Sequence, residues 1–101
     1  MTDSRNLTAE DLVQRFSWQF KEGPRIDGSI PPQWNSVLYD LMVAVEELLS
    51  TEEREGFWWT DIKEKRGELR AYCVYPNERD SQISSLVDHA EKLVIRMRQS
   101  Q

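Results

Sequence analysis

The sequence predicts an α+β fold in the order α-α-β-β-α, with a two-stranded antiparallel hairpin packed against helices. Three observations carry this expectation. Apolar residues recur at 3–4 spacing in three separate stretches, around Leu12, Leu41 and Ala90. Residues 57–64 and 69–75 are instead rich in aromatic and β-branched side chains. Between them, in KRGE, stands Gly67, where a tight hairpin turn needs a positive φ. A chain of 101 residues fits one domain with one core. It divides into an N-terminal helix region (1–22), a linker (23–32) and a helix-hairpin-helix core (33–98).

The first helix starts at Thr8, with Asp11 three residues on in a relaxed capping box. Leu7 and Leu12 have the spacing of a hydrophobic staple. Leu12, Val13, Phe16 and Phe20 share one face, and Gly23-Pro24 ends the helix. Trp18 falls ~200° around from Phe16 and points away from that face. In the linker, Ile26 and Ile30 are placed to pin the loop onto the core. Pro32 suits the first turn of the second helix, which runs from about Gln33 to Leu49. That helix is apolar over much of its circumference, so it is expected to be covered by both the first helix and the hairpin. Ser50 with Glu53 forms a second capping box, which sets Glu52 and Glu53 at a short helix N-terminus that favours acids. Gly56 stops that turn.

The hairpin follows. Two-residue and three-residue loops both satisfy Gly67, and they give different registers. Which of Trp58 and Trp59 faces the core stays open at this level, but one of the two must face away from it. Pro76 ends the second strand. The last helix spans about Glu78 to Arg98, with Asn77 as its cap. Ile83, Leu86, Val87, Ala90, Leu93, Val94 and Met97 form its apolar stripe. Glu78 and Asp80 in its first turn, and Arg96 and Arg98 in its last, suit the helix dipole.

Composition removes several function classes. The net charge is −5, with a pI near 4.9, against the basic excess that phosphate binding requires. It favours instead a partner with a basic surface. One cysteine, Cys73, forms no internal disulfide and no multi-cysteine zinc site, which fits a reducing cytoplasm. MTDSRNLTAEDL has no signal-peptide pattern, and no apolar run approaches the ~18 residues of a membrane span. His89 and Cys73 have no neighbours in sequence built to activate them, and glycine-rich phosphate loops and HExxH are absent. No catalytic residue, cofactor or metal is therefore expected.

Two surfaces stand out. Glu46, Glu47, Glu52, Glu53 and Glu55 form an acidic cluster whose spacing fits no metal loop. Together with Trp18, Trp58 and Trp59, tryptophans in excess of what so small a core needs, they are candidates for binding a protein. In the hairpin, Lys63, Lys65, Arg66 and Arg70 lie near Tyr72, an aromatic-basic pattern that binds single-stranded nucleic acid. Asp61, Glu64 and Glu68 nearly neutralise it, as cross-strand pairs on an exposed hairpin do. The stripe of the last helix offers a surface for a homodimer.

IKEKRGELRAY, Ile62 to Tyr72, resembles the segment IKEKFGxLRFY of a family of small phage, prophage and bacterial proteins. Ile62, Lys63, Glu64, Lys65, Gly67, Leu69, Arg70 and Tyr72 match; Arg66 and Ala71 depart from the usual Phe. QWNSVLYDLMVAVEELL upstream and ISSLVDHAEKLV downstream are similar to the family's flanking helices, so the likeness spans about residues 33–94. Many relatives end in Cys-x-x-Cys. This chain has RMRQSQ there, so no metal role carries over. The resemblance implies a phage or mobile-element setting in a bacterial cytoplasm and no mechanism. In that setting, small size, acidic charge, spare tryptophans and the lack of catalytic groups fit a non-catalytic accessory protein that binds and inhibits a host or competitor factor, with an immunity protein as a variant.

Overall fold

The α+β order is present in the computed structural model, which describes residues 7–99, the side chains of 98 and 99 excepted. The readings of residues 1–6 and of the Arg98 side chain lie outside these described residues. The α-helices are α1 (Ala9–Arg15), α2 (Asn35–Leu48), α3 (Thr51–Arg54) and α4 (Asp80–Gln99). The strands are β1 (Trp58–Lys65) and β2 (Glu68–Val74). Short 3-10 turns occupy Ser17–Gln19, Pro32–Trp34 and Asn77–Arg79.

Both capping boxes form. Thr8 Oγ1 accepts from Asp11 N–H at 3.1 Å, and the Asp11 carboxylate accepts from Thr8 N–H at 3.0 Å. Ser50 and Glu53 reciprocate at 3.2 and 2.9 Å. Each box satisfies two N–H groups that a helix start leaves without partners. Leu7 packs beside the fully buried Leu12, in keeping with the staple.

Two helix ends differ from expectation. The first helix stops at Arg15 instead of running to Gly23; Phe16 leaves helical geometry, and Ser17–Gln19 rewinds as a 3-10 turn. Tertiary bonds override local propensity here. The turn aims Gln19 into the core and carries Trp18 onto the core's margin, where it packs instead of pointing away. Asn77 is not a cap. It opens a 3-10 turn, and α4 begins at Asp80, because Arg79 N–H bonds back to the Pro76 carbonyl at 2.9 Å and its guanidinium is drawn to Glu53.

The hairpin turn is a two-residue loop. Arg66 and Gly67 both have positive φ, 57° and 79°, the arrangement whose twist matches the flanking strands. Lys65 therefore pairs with Glu68, Ile62 with Ala71 and Trp59 with Cys73. A bulge at Thr60 lies between the Trp59–Cys73 and Asp61–Tyr72 pairs. The extra residue lets Trp59 and Ile62, three apart, face the same side. Trp59, Ile62, Leu69 and Ala71 form the inner face and are buried.

α4 lies against β2 and against α2, and α1 lies against α2. α4, rather than α2, thus makes the main helix contact with the hairpin. The linker closes the other edge: Ile26 bridges Ile62, with Asp27 N–H to Ile62 O and Ile62 N–H to Arg25 O, both at 2.8 Å.

At the centre sits Gln19, fully buried. Its amide donates to the Met42 carbonyl at 3.0 Å and its oxygen accepts from the Trp59 indole at 2.7 Å. One side chain so ties the Ser17–Gln19 turn to α2 and β1. Gln19→Ala leaves the buried Trp59 indole N–H without its partner, takes the second bond from the Met42 carbonyl and opens a cavity, and should destabilise the protein by about 3 kcal/mol in urea unfolding. A loss below about 0.5 kcal/mol, the range of a neutral surface change, would remove Gln19 from this role.

A candidate docking face on the hairpin

Several residues singled out as sites are engaged within the molecule. Glu46 receives both terminal nitrogens of Arg15, at 3.1 and 3.2 Å, and the Trp18 indole N–H at 3.3 Å. The Arg15 guanidinium holds the Glu46 carboxyl below its ordinary range. Arg54 stacks over Trp18 at 5.2 Å and donates to the Glu46 carbonyl at 2.7 Å. Lys21 extends this network. Its Nζ donates to the carbonyls of Trp18, Arg54 and Phe57 at 2.9, 2.8 and 2.7 Å. It also lies 5.7 Å from the Trp18 ring and 6.0 Å from the Trp58 ring. Burial lowers the Lys21 pKa, with Glu55 opposing the shift. Trp18 and Glu46 therefore brace the junction of α2 and α3.

The glutamates of the acidic cluster have different surroundings. Glu47 borders a separate depression with Ala44 and Leu48. Glu53 is bound by Arg79 at 2.8 and 3.1 Å. That guanidinium, followed by the Ser50 N–H, pulls the Glu53 carboxyl from 4.5 to about 2. Glu52 and Glu55 are exposed. Trp59 is fully buried and cannot meet a partner, because the Thr60 bulge turns it inward.

The strand alternation gathers the remaining candidates on one face. Trp58 pairs with Val74, Asp61 with Tyr72, Lys63 with Arg70 and Lys65 with Glu68, all directed away from the core. Tyr72 and Val74 are the large hydrophobic residues that the described chain leaves exposed, at 49% and 39%. Trp58 is half-buried beside Val74, and its indole N–H has no hydrogen-bond partner in the described residues. At the base of the hairpin, Trp58 and Val74 line an open groove of ≈ 530 Å³ with Glu52, Tyr75, Pro76 and Glu78. Toward the tip, Lys63 pairs with Asp61 at 3.3 Å and lies 5.8 Å over the Tyr72 ring, while Arg70 pairs with Glu68 at 2.8 Å. Lys65 and Arg66 are exposed at the tip without a recorded ion pair.

This face merges residues that the sequence assigned to two different sites, Trp58 to the protein surface and Tyr72 to the nucleic-acid pattern. Val74 and Glu78 were not singled out as site residues, whereas Tyr75 lies near the basic residues of the hairpin pattern. Val74 was within reach, because it sits two residues from Tyr72 on a strand and so shares its face.

Burial pushes the Cys73 thiol up to about 12, which suppresses the thiolate. His89 is exposed on α4. Glu91 accepts from Ala71 N–H at the β2 edge, and desolvation raises its pKa. Among the described residues no group of His, Cys, Asp and Glu could hold a metal ion, and no helix is long and apolar enough to cross a membrane. No family model, curated protein or solved structure matches the chain.

The Glu53–Arg79 pair ties α3 to the start of α4, and its pH dependence follows from the lowered carboxyl. A folded-state pKa near 2 against 4.5 means that the stabilisation is complete above pH 4.5 and is lost as pH falls through 2. Wild type should exceed Glu53→Gln in urea-unfolding stability at pH 7, and the gap should close between pH 4.5 and 2. A gap that stays constant over this window would show that the ion pair contributes nothing.

Proposed function

We propose that the chain is a small, non-catalytic protein-binding module that docks its partner on the outer face of the hairpin. One observation carries this reading: Trp58, Tyr72 and Val74 lie together on the strand face turned away from the core, two of them well exposed. Tryptophan, tyrosine and arginine dominate the energetics of protein interfaces. The surrounding Asp61, Lys63, Glu68 and Arg70 give such a face its orientation more than its affinity.

The partner is proposed to present a basic surface, since the net charge is −5 and Glu52 and Glu78 flank the apolar strip. The likeness of residues 62–72 to the phage and prophage segment supports a host or competitor factor that is bound and inhibited in a bacterial cytoplasm, or a toxin neutralised by an immunity protein. Binding of single-stranded nucleic acid has less support. Lys63 and Arg70 are already paired with carboxylates, which leaves Lys65 and Arg66 as tip cations for phosphate.

A photo-crosslinking residue, p-benzoylphenylalanine, placed at Tyr72 in the natural host tests this directly. The expected result is one covalent adduct with a different protein, absent when the same residue replaces the exposed His89 on α4. The same adducts from both positions, or an adduct with nucleic acid, would refute the proposal.

A further inference from the structure

The outer face is electrically lopsided along the strands. At the hairpin base, Glu52 and Glu78 border the groove beside Trp58 and Val74, and among the described residues neither forms an ion pair. At the tip, Lys65 and Arg66 stand exposed and, among the described residues, form no ion pair, while the Glu64 carboxylate on the inner face accepts from Gly67 N–H. Asp61–Lys63 and Glu68–Arg70 between them are internally neutral. Seven residues of strand separate Trp58 from Lys65, roughly 23 Å. That is well beyond the ~8 Å screening length at physiological salt, so the two ends act as separate charges. Tyr72 stands near the midpoint, opposite Asp61.

A surface with opposite charges at its ends and an aromatic centre is complementary to itself under a two-fold rotation. With the axis between two stacked faces, perpendicular to the strands and level with Tyr72, the tip of each copy lies over the base of the other. Lys65 and Arg66 of one copy then face Glu52, Glu78 and the Trp58 ring of the second, and the two Tyr72 rings meet at the axis. Lys21 already lies 6.0 Å from the Trp58 ring, so the facing cations are met by Glu52 and Glu78.

We propose that two copies of the chain associate reversibly, face to face, through the outer face of the hairpin, in competition with a partner for the same residues. The inference rests on the reading of that face as a docking surface. Two strands of this length cover a rectangle on the order of 26 by 10 Å. Both copies together bury on the order of 500 Å², below the size of a stable complex. The dimer is therefore transient, with a dissociation constant on the order of 10⁻⁴ M. An affinity in that range lets a dedicated partner displace the second copy.

Sedimentation velocity of the full chain in low-salt buffer, over a dilution series reaching about 1 mM, tests this with two charge-swapped variants. These are E52K/E78K and K65E/R66E, all at exposed positions and checked for folding by circular dichroism. Wild type should dimerise, and each swap alone should weaken dimerisation at least ~5-fold by facing like charges. An equimolar mixture of the two swaps should restore association, because every facing pair is then opposite in sign. Tyr72→Glu should abolish the dimer. A wild type that stays monomeric, a mixture no tighter than its components, or a dimer unmoved by Tyr72→Glu would overturn the inference. A monomeric wild type that still crosslinks a different protein through position 72 removes self-association and leaves the proposed function standing. Charge-restored dimerisation without a foreign adduct does the reverse.

Discussion

Gln19 makes two hydrogen bonds in the interior, and the placement of both layers depends on them. Its amide reaches the Met42 carbonyl of α2 and its oxygen takes the Trp59 indole proton. A buried amide of this kind is costly unless every partner is in place. Alternatives that slide the hairpin along the helices would leave the Gln19 amide oxygen and the Trp59 indole unpaired. The bond thus acts as a register pin between a helical layer and a hairpin that has only two strands. The aromatic rings then pack in sequence around it: Trp18 on Phe57 at 6.1 Å, and Phe57 edge-on to Trp59 at 5.2 Å.

Burying Trp59 decides what is left outside. Adjacent strand residues face opposite sides, so Trp58 turns outward. The Thr60 bulge then restores the inward facing of Ile62, and the two-residue turn sets Leu69 and Ala71 opposite it. With helices on one side of the sheet, the other side keeps Tyr72 and Val74 at the surface. The exposed aromatic strip is thus a geometric consequence of the core. The same geometry explains why the acidic cluster contributes less than its density promises. Glu46 and Glu53 hold elements together, and Glu52 is left to border the outer face.

Much of this was legible in the sequence, for identifiable reasons. Capping boxes are local, and both appeared where Thr8–Asp11 and Ser50–Glu53 predicted them. The stripe of α4 and the positive φ of Gly67 were equally local. Failures came where a distant partner decides. Nothing near Phe16 forecasts the end of α1, because the cause is the bonding of Gln19 to residues 23 and 40 positions away. Trp18 was misplaced for the same reason. Arg66 carries no signal for positive φ, a conformation that the register imposes on it. How the candidate residues divide between the two faces of the hairpin was not legible, since that requires the register and the Thr60 bulge.

The central claim is that the Gln19–Trp59 bond pins the hairpin with Trp59 inside and the Trp58–Tyr72–Val74 strip outside. Hydrogen exchange of the indole N–H groups, followed by NMR, tests it most directly. The Trp59 indole proton should exchange only on global unfolding, as core amides do, while the Trp18 indole at the margin exchanges through local opening. Exchange of the Trp59 proton as fast as that of Trp18 would contradict the pinned register, and with it the outer face built upon it.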